Sequence, residues 1–136
     1  MQSFLLFFST LALLPASVLL YPCPIDTCPC IRRGTFDSAW LTATYPALAT
    51  TYKDYTFSAP NITYPNCSAI IATCPSTAQV ARILDGVITI GGALLKNPFE
   101  LKSIVCDENH QWIKDGVNQP LDDNIKASNI SCATKI

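Results

Sequence analysis

The sequence predicts a small all-β domain, a disulfide-stapled antiparallel sandwich behind an N-terminal signal peptide. Three observations carry that expectation. An uncharged apolar leader opens the chain. Seven cysteines follow, all of them beyond the leader. Between residues 67 and 117, short runs of branched residues recur with turn signals between them.

The leader, "MQSFLLFFSTLALLPASVLL", has no charged side chain, and its only cation is the amino terminus. The apolar run from Phe4 to Leu14 has the length of a signal-peptide core, and Pro15, Ala16 and Ser17 interrupt it with small residues. Cleavage is expected between Ala16 and Tyr21. That makes 1–20 a signal peptide and 21–136 a single cysteine-rich extracellular domain. An uncleaved anchor is the competing reading, because Phe4 to Tyr21 just reaches bilayer length. Its shortness and its central proline speak against that. The tail "KASNISCATKI" is polar and carries no anchor signal. The expected product is secreted, with no membrane association once the leader is gone.

The strands read in order. "CSAIIATC", Cys67 to Cys74, is short, branched and closed by Pro75, which suits a buried strand. "AQVARIL" and "VITI" flank Asp85-Gly86, a two-residue hairpin signature, because that turn needs positive φ at both central positions. "FELKSIVC" alternates. Phe99, Leu101, Ser103 and Val105 fall on one face, and Glu100, Lys102, Ile104 and Cys106 on the other, as in one half-buried strand. "DENH" is a polar turn, and Asp115-Gly116 after "QWIK" reads as a second hairpin turn. "APNITYPNC" is expected to be an exposed connection. Residues 34–57, rich in Thr, Ala and Tyr, do not separate into strand and loop.

The cysteines are Cys23, Cys28, Cys30, Cys67, Cys74, Cys106 and Cys132. In an exported chain they are expected to form disulfides. A zinc site would need paired short ligand spacings, and the single histidine, His110, cannot complete a Cys2His2 set. A Cys-x-x-Cys redox motif is absent as well. No metal or cofactor is therefore expected. The N-terminal cysteines should reach forward to distant ones, since Cys28 and Cys30 have only Pro29 between them and would be strained as a pair. Seven is odd, so one thiol is left over, expected at Cys28 or Cys30. A covalent dimer through it is one outcome. Cys74 with Cys106, on neighbouring expected strands, is the one pairing the pattern suggests.

Asn61-Ile62-Thr63, Asn66-Cys67-Ser68 and Asn129-Ile130-Ser131 match the N-glycosylation acceptor pattern. One match would mean little; three in an exported chain point to a glycoprotein. Asn66 is the weakest, because Cys67 is expected to be engaged early in a disulfide.

An N-terminal cysteine cluster, two cysteines bracketing a short apolar strand, a hairpin and then "IVCDENHQW" resemble the nematode six-cysteine domain. That is a family of secreted proteins of unknown function. The matching residues are Cys23 with Cys28 or Cys30, then Cys67, Cys74, Cys106 with Trp112, and Cys132. The resemblance spans almost the whole of 21–136 and implies an extracellular module with no catalytic residues. "C…W…C" is also similar to the end of a sushi module, but the remaining spacing does not fit.

Formal net charge is −1 and the charges are scattered, so there is no basic stripe and no expectation of a nucleic-acid partner. No nucleophile elbow, P-loop or zincin motif occurs. His110 sits in a polar turn, and Asp122-Asp123 reads as a hydrated loop after Pro120. The chain is not expected to be an enzyme. The first functional expectation is a secreted, disulfide-stabilised glycoprotein domain that binds or builds, with an extracellular protein or glycan as partner. The alternative is a secreted inhibitor or toxin-like effector that blocks another protein through its loops. Trp112 is expected in the core against a disulfide, as in many small sandwiches. Trp40, Tyr45, Tyr52, Tyr55 and Tyr64 are the aromatic residues available to a recognition surface.

Overall fold

In a computed structural model the fold is described for residues 28–116 and 128–136. The leader, Cys23 and the expected turn partner Val117 lie outside these residues. The described chain forms nine strands and two short helices, and all the strand pairings are antiparallel. The all-β expectation holds.

Residues 34–57, ambiguous in sequence, hold both helices and the first strand. Helix α1 is Ser38–Thr44, capped by Asp37, whose carboxylate accepts from the Trp40 amide at 2.8 Å. Pro46 starts α2, Pro46–Thr51, at a position where a missing amide costs nothing. Strand β1, Tyr55–Ser58, follows. Ser38 links helix to strand: its hydroxyl accepts from the Phe57 amide at 2.8 Å and donates to the Phe57 carbonyl at 3.3 Å.

The expected exposed connection is partly a strand. Asn61–Thr63 forms β2, and the 3-10 turn Pro65–Cys67 leads into β3, Ala69–Thr73. Next come β4, Gln79–Leu84, and β5, Val87–Ile90. Their turn is the one expected: Asp85 and Gly86 have φ of 48° and 74°, the left-handed pair that a primed hairpin turn requires.

"FELKSIVC" is not one strand. It divides into β6, Phe99–Lys102, and β7, Ile104–Cys106. Ser103, with φ 57°, shifts the alternation by one step. Phe99 and Leu101 face the core before it, and buried Ile104 does after it. Strand β7 pairs with β8, Trp112–Lys114, around the 107–111 turn, and β9 is Asn129–Lys135.

Three sheets result. One has the order β1-β9-β4-β5, the second β2-β3-β6, and the third is the β7-β8 hairpin. The four-stranded sheet is covered on both faces. Phe36, Leu41, Phe57, Ala81, Ile83, Ile88 and Ala133 pack beneath the two helices. On the opposite face Val80, Ile130 and Cys132 meet Ala72 and Cys74 of the second sheet, with Ile62 and Phe99 beside them. This explains why β9 is buried at four successive positions, Ile130 to Ala133, instead of alternating.

The disulfides are Cys28 to Cys67, Cys30 to Cys106 and Cys74 to Cys132. The N-terminal pair does reach forward, as expected. Two expectations are corrected. Cys28 and Cys30 are both bonded, so the seventh cysteine is Cys23. Cys74 bonds Cys132 and not Cys106. The reason is register: Ala69 pairs with Lys102 and Ala72 with Phe99, so Cys74 falls opposite Asn97, at the far end of β6 from Cys106. Ser103 then sends Cys106 into another sheet.

Asn97 fills the place a strand partner would take. Its side-chain oxygen accepts from the Cys74 amide at 3.0 Å, and its Nδ2 donates to the Cys74 carbonyl at 3.0 Å. Asn97→Ala leaves both groups of Cys74 without these bonds. It is expected to lower stability by about 1–3 kcal/mol, read from a urea unfolding midpoint; a change under about 0.5 kcal/mol would show that the bonds carry no weight.

Candidate functional site

The features with chemistry fall in three places: the N-terminal disulfide corner, the outward face of the second sheet and the helix-covered face of the first.

The disulfide corner is built around Trp112. The residue is buried, and its indole donates from Nε1 to the Ile31 carbonyl at 2.9 Å. It packs with Cys30, Ile70 and Ile104, with Cys106 alongside, as the sequence anticipates. Tyr64 stacks on it, with ring centroids 6.0 Å apart and planes 12° from parallel, and Arg32 lies over the outer face of Tyr64, 4.6 Å from the ring centroid. The result is a three-tier stack whose outer tier is a cation on a ring.

Arg33 turns the other way. Its backbone amide donates to the Tyr64 hydroxyl at 2.7 Å, and its Nη2 donates to the Ser128 hydroxyl. Burial pushes the Arg33 pKa down to about 10; Tyr64 opposes the shift, and the charge of Arg82 adds to it. Its Nε is buried with no hydrogen-bond partner in the described structure. Nothing in the sequence distinguishes Arg33 from Arg32. They differ because Tyr64 packs between Trp112 and Arg32 and takes only Arg33's backbone amide.

The three sequons sit in different settings. Asn61 and Thr63 are exposed on β2, an edge strand, while Ile62 between them is turned toward the core. Asn66 is exposed in a left-handed conformation, with φ 52°, next to disulfide-bonded Cys67. Asn129 is half-buried on a central strand. Its side chain lies so close over Gly34 that a Cβ there would come within 2.2 Å of Oδ1. Its partner in the sequon, Ser131, is buried and donates to the Ser58 carbonyl at 2.9 Å.

On the helix side, Phe36, Trp40, Tyr45, Tyr52, Tyr55 and Phe57 form a connected aromatic group, each ring within 6.4 Å of the next. Tyr64 is not part of it. A shallow cavity of about 170 Å³ opens here, lined by Leu41, Tyr52, Lys53, Tyr55 and Phe57 among others. The Tyr52 hydroxyl also donates to the Ile88 carbonyl at 3.4 Å, on the free side of edge strand β5.

His110 is exposed at the tip of the 107–111 turn with φ 61°, where its amide donates to the Asp107 carbonyl at 3.1 Å. Asp107 uses its own carboxylate to accept from the amides of Asn109 and Gln111. Asp122 and Asp123 lie outside the described residues. Among the described residues no group of three His, Cys, Asp or Glu side chains comes together as a metal site. No described helix is long and apolar enough to cross a membrane.

No protein-family model matches the chain, and neither the curated proteins nor the solved structures gave a match.

Proposed function

We propose that this chain is a secreted, disulfide-stapled glycoprotein domain of the nematode six-cysteine type, an extracellular interaction module without catalysis of its own. One observation carries the reading. Six cysteines close three bridges, each joining segments 39 to 76 residues apart. Such bridges persist in oxidising compartments and are rare elsewhere. The leader supplies the route there. The six cysteines of the pattern are then Cys28, Cys30, Cys67, Cys74, Cys106 and Cys132. Cys23 stands outside it, available for a link to a second chain.

Asn61 is the favoured glycan site, since both polar residues of its sequon project outward from an edge strand. A glycan there also shields β2, an edge that would otherwise offer free backbone groups to another chain. Asn129 is accessible to a transferase only before β9 closes against Gly34. The exposed Arg32 tier and the aromatic cavity on the helix side support a role in contact with an extracellular protein or glycan.

The test is expression of the full chain in a secretory host, followed by intact mass of the medium product before and after deglycosylation, with and without reduction. The expected result is export, three disulfides, and a glycan mass that Asn61→Gln removes and Asn129→Gln leaves. Retention in the cell with the leader attached and free thiols throughout would overturn the reading.

A further inference from the structure

Two arginines flank the start of β9, on the face turned to the second sheet. The chain at 34–36 runs along one side of that start. There the Ile130 amide donates to the Gly34 carbonyl at 2.9 Å, and the Phe36 amide donates to the Ile130 carbonyl at 3.2 Å. Strand β4 runs along the other side, with Arg82 the Cα partner of Ile130. Val80 and Ile130 pack between the sheets, whereas Phe36, Ala81 and Ile83 pack beneath the helices. Alternation therefore turns Arg82 to the inter-sheet face with Val80, and turns Arg33, three residues before Phe36, to the same face. Ser128, buried two residues before Ile130, stands between them. It is diagonal to Arg82 across the strand pair, and its hydroxyl accepts from Arg33 Nη2. Among the described residues neither guanidinium is in an ion pair, and Arg33 Nε is buried with no hydrogen-bond partner. Burial pushes the Arg33 pKa down to about 10, and the charge of Arg82 adds to that shift. The two like charges lie side by side, partly desolvated and without a counter-charge, which costs free energy until an anion joins them.

We propose that Arg33, Ser128 and Arg82 form a binding site for a tetrahedral oxoanion, a sulfate or phosphate, free or as the ester end of a larger molecule. Each residue contributes something such an anion takes. The guanidinium groups are planar forks of N–H donors, the geometry that grips sulfate and phosphate oxygens in pairs. The Ser128 hydroxyl accepts from Arg33 and keeps its own proton to donate. Both arginines are half-buried, so the anion reaches them from solvent at the end of the inter-sheet cleft, where attraction is stronger than in open water. The layout also selects the shape of the ligand. A carboxylate has two oxygens and one charge. A tetrahedral oxoanion, even as an ester, keeps three oxygens for the three side chains, and as a dianion it balances both guanidinium charges. Arg32 takes no part, since it lies over the outer face of Tyr64.

The proposal does not depend on export or glycosylation. It is tested on the oxidised full chain, secreted or refolded, titrated with sodium phosphate and with sodium sulfate against sodium chloride at matched ionic strength. Two readouts are followed together: the arginine Nε–H resonances by NMR and the thermal midpoint. Both oxoanions should move the Arg33 resonance along a saturating curve and raise the midpoint in step with it, and chloride should do neither. Arg82→Gln, at a half-buried position, should leave a folded chain and weaken oxoanion binding at least about tenfold, and Arg82→Lys, which keeps the charge without the fork, should weaken it less. Methyl sulfate and methyl phosphate distinguish the sources. Binding comparable to that of the inorganic ions assigns the site to an ester end, and binding of the inorganic ions alone assigns it to a free ion. A response that never saturates, a response equal in chloride, or one that Arg82→Gln leaves unchanged overturns the proposal.

Discussion

Replacing Cys74 and Cys132 together by alanine is expected to cost about 4 kcal/mol, the largest loss of the three bridges. The chain-entropy model gives that figure for a closed loop of 58 residues. On loop length alone the bridges would rank almost equally, since separations of 39, 58 and 76 residues enter only as logarithms. Burial separates them. Cys28 and Cys67 are half-buried, and Cys30 is buried but its partner Cys106 only half so, whereas Cys74 is 5% exposed and Cys132 not exposed at all, between the two sheets. Removing this sulfur pair leaves a cavity lined by Ala72, Val80 and Ile130 as well as freeing the chain. The comparison is made by urea unfolding of three double variants under oxidising conditions. A loss at Cys74 and Cys132 smaller than at Cys28 and Cys67 would mean that the inter-sheet core does not depend on its bridge.

The strands were readable where local chemistry dictates conformation. Asp85-Gly86 specifies its turn by itself, and the apolar run before Pro75 specifies β3. The cysteine pairing was not readable, because it depends on where strands end relative to one another. A single left-handed residue, Ser103, shifts the face of every residue after it, and a serine gives no warning of that. Reading Phe99 to Cys106 as one strand beside the Cys67–Cys74 strand is what placed Cys106 with Cys74. The helices were obscured for a different reason. Each is shorter than an isolated helix could sustain, and three of their threonines, Thr42, Thr50 and Thr51, bond back to carbonyls four residues earlier. The signals were nonetheless present. Asp37 is a cap, Pro46 a first helical residue, and Leu41, Tyr45, Leu48 and Tyr52 recur at helical spacing toward the sheet.

The candidate surfaces were legible only as composition. Tyr64 counts with Trp40, Tyr45, Tyr52 and Tyr55 in the sequence, yet it stacks on Trp112 in a different corner. Likewise the sequons at Asn61 and Asn129 read alike, and only the strand order separates exposed Asn61 from half-buried Asn129.

Trp112 is where the sequence reading and the packing converge most closely, and its removal has the second large expected effect. Trp112→Ala should cost about 3–5 kcal/mol, the range for emptying a buried aromatic site. Several contacts disappear together: the stack under Tyr64, the packing beside Cys30 and Cys106, and the donor to the Ile31 carbonyl. Trp112→Phe separates these contributions. It keeps a ring beneath Tyr64 but loses the indole N–H and the volume of the second ring, leaving the Ile31 carbonyl without that donor, for an expected loss of about 1–3 kcal/mol. The two variants also differ at a distance. Arg32 sits over the outer face of Tyr64, so a ring at 112 that holds Tyr64 in place keeps the cation in place too. An Arg32→Ala substitution should therefore have a smaller effect on stability in the Trp112→Ala background than in the native chain, and an intermediate effect with Trp112→Phe. If the three backgrounds respond equally, the tiers are not coupled, and Arg32 owes its position to its other contacts.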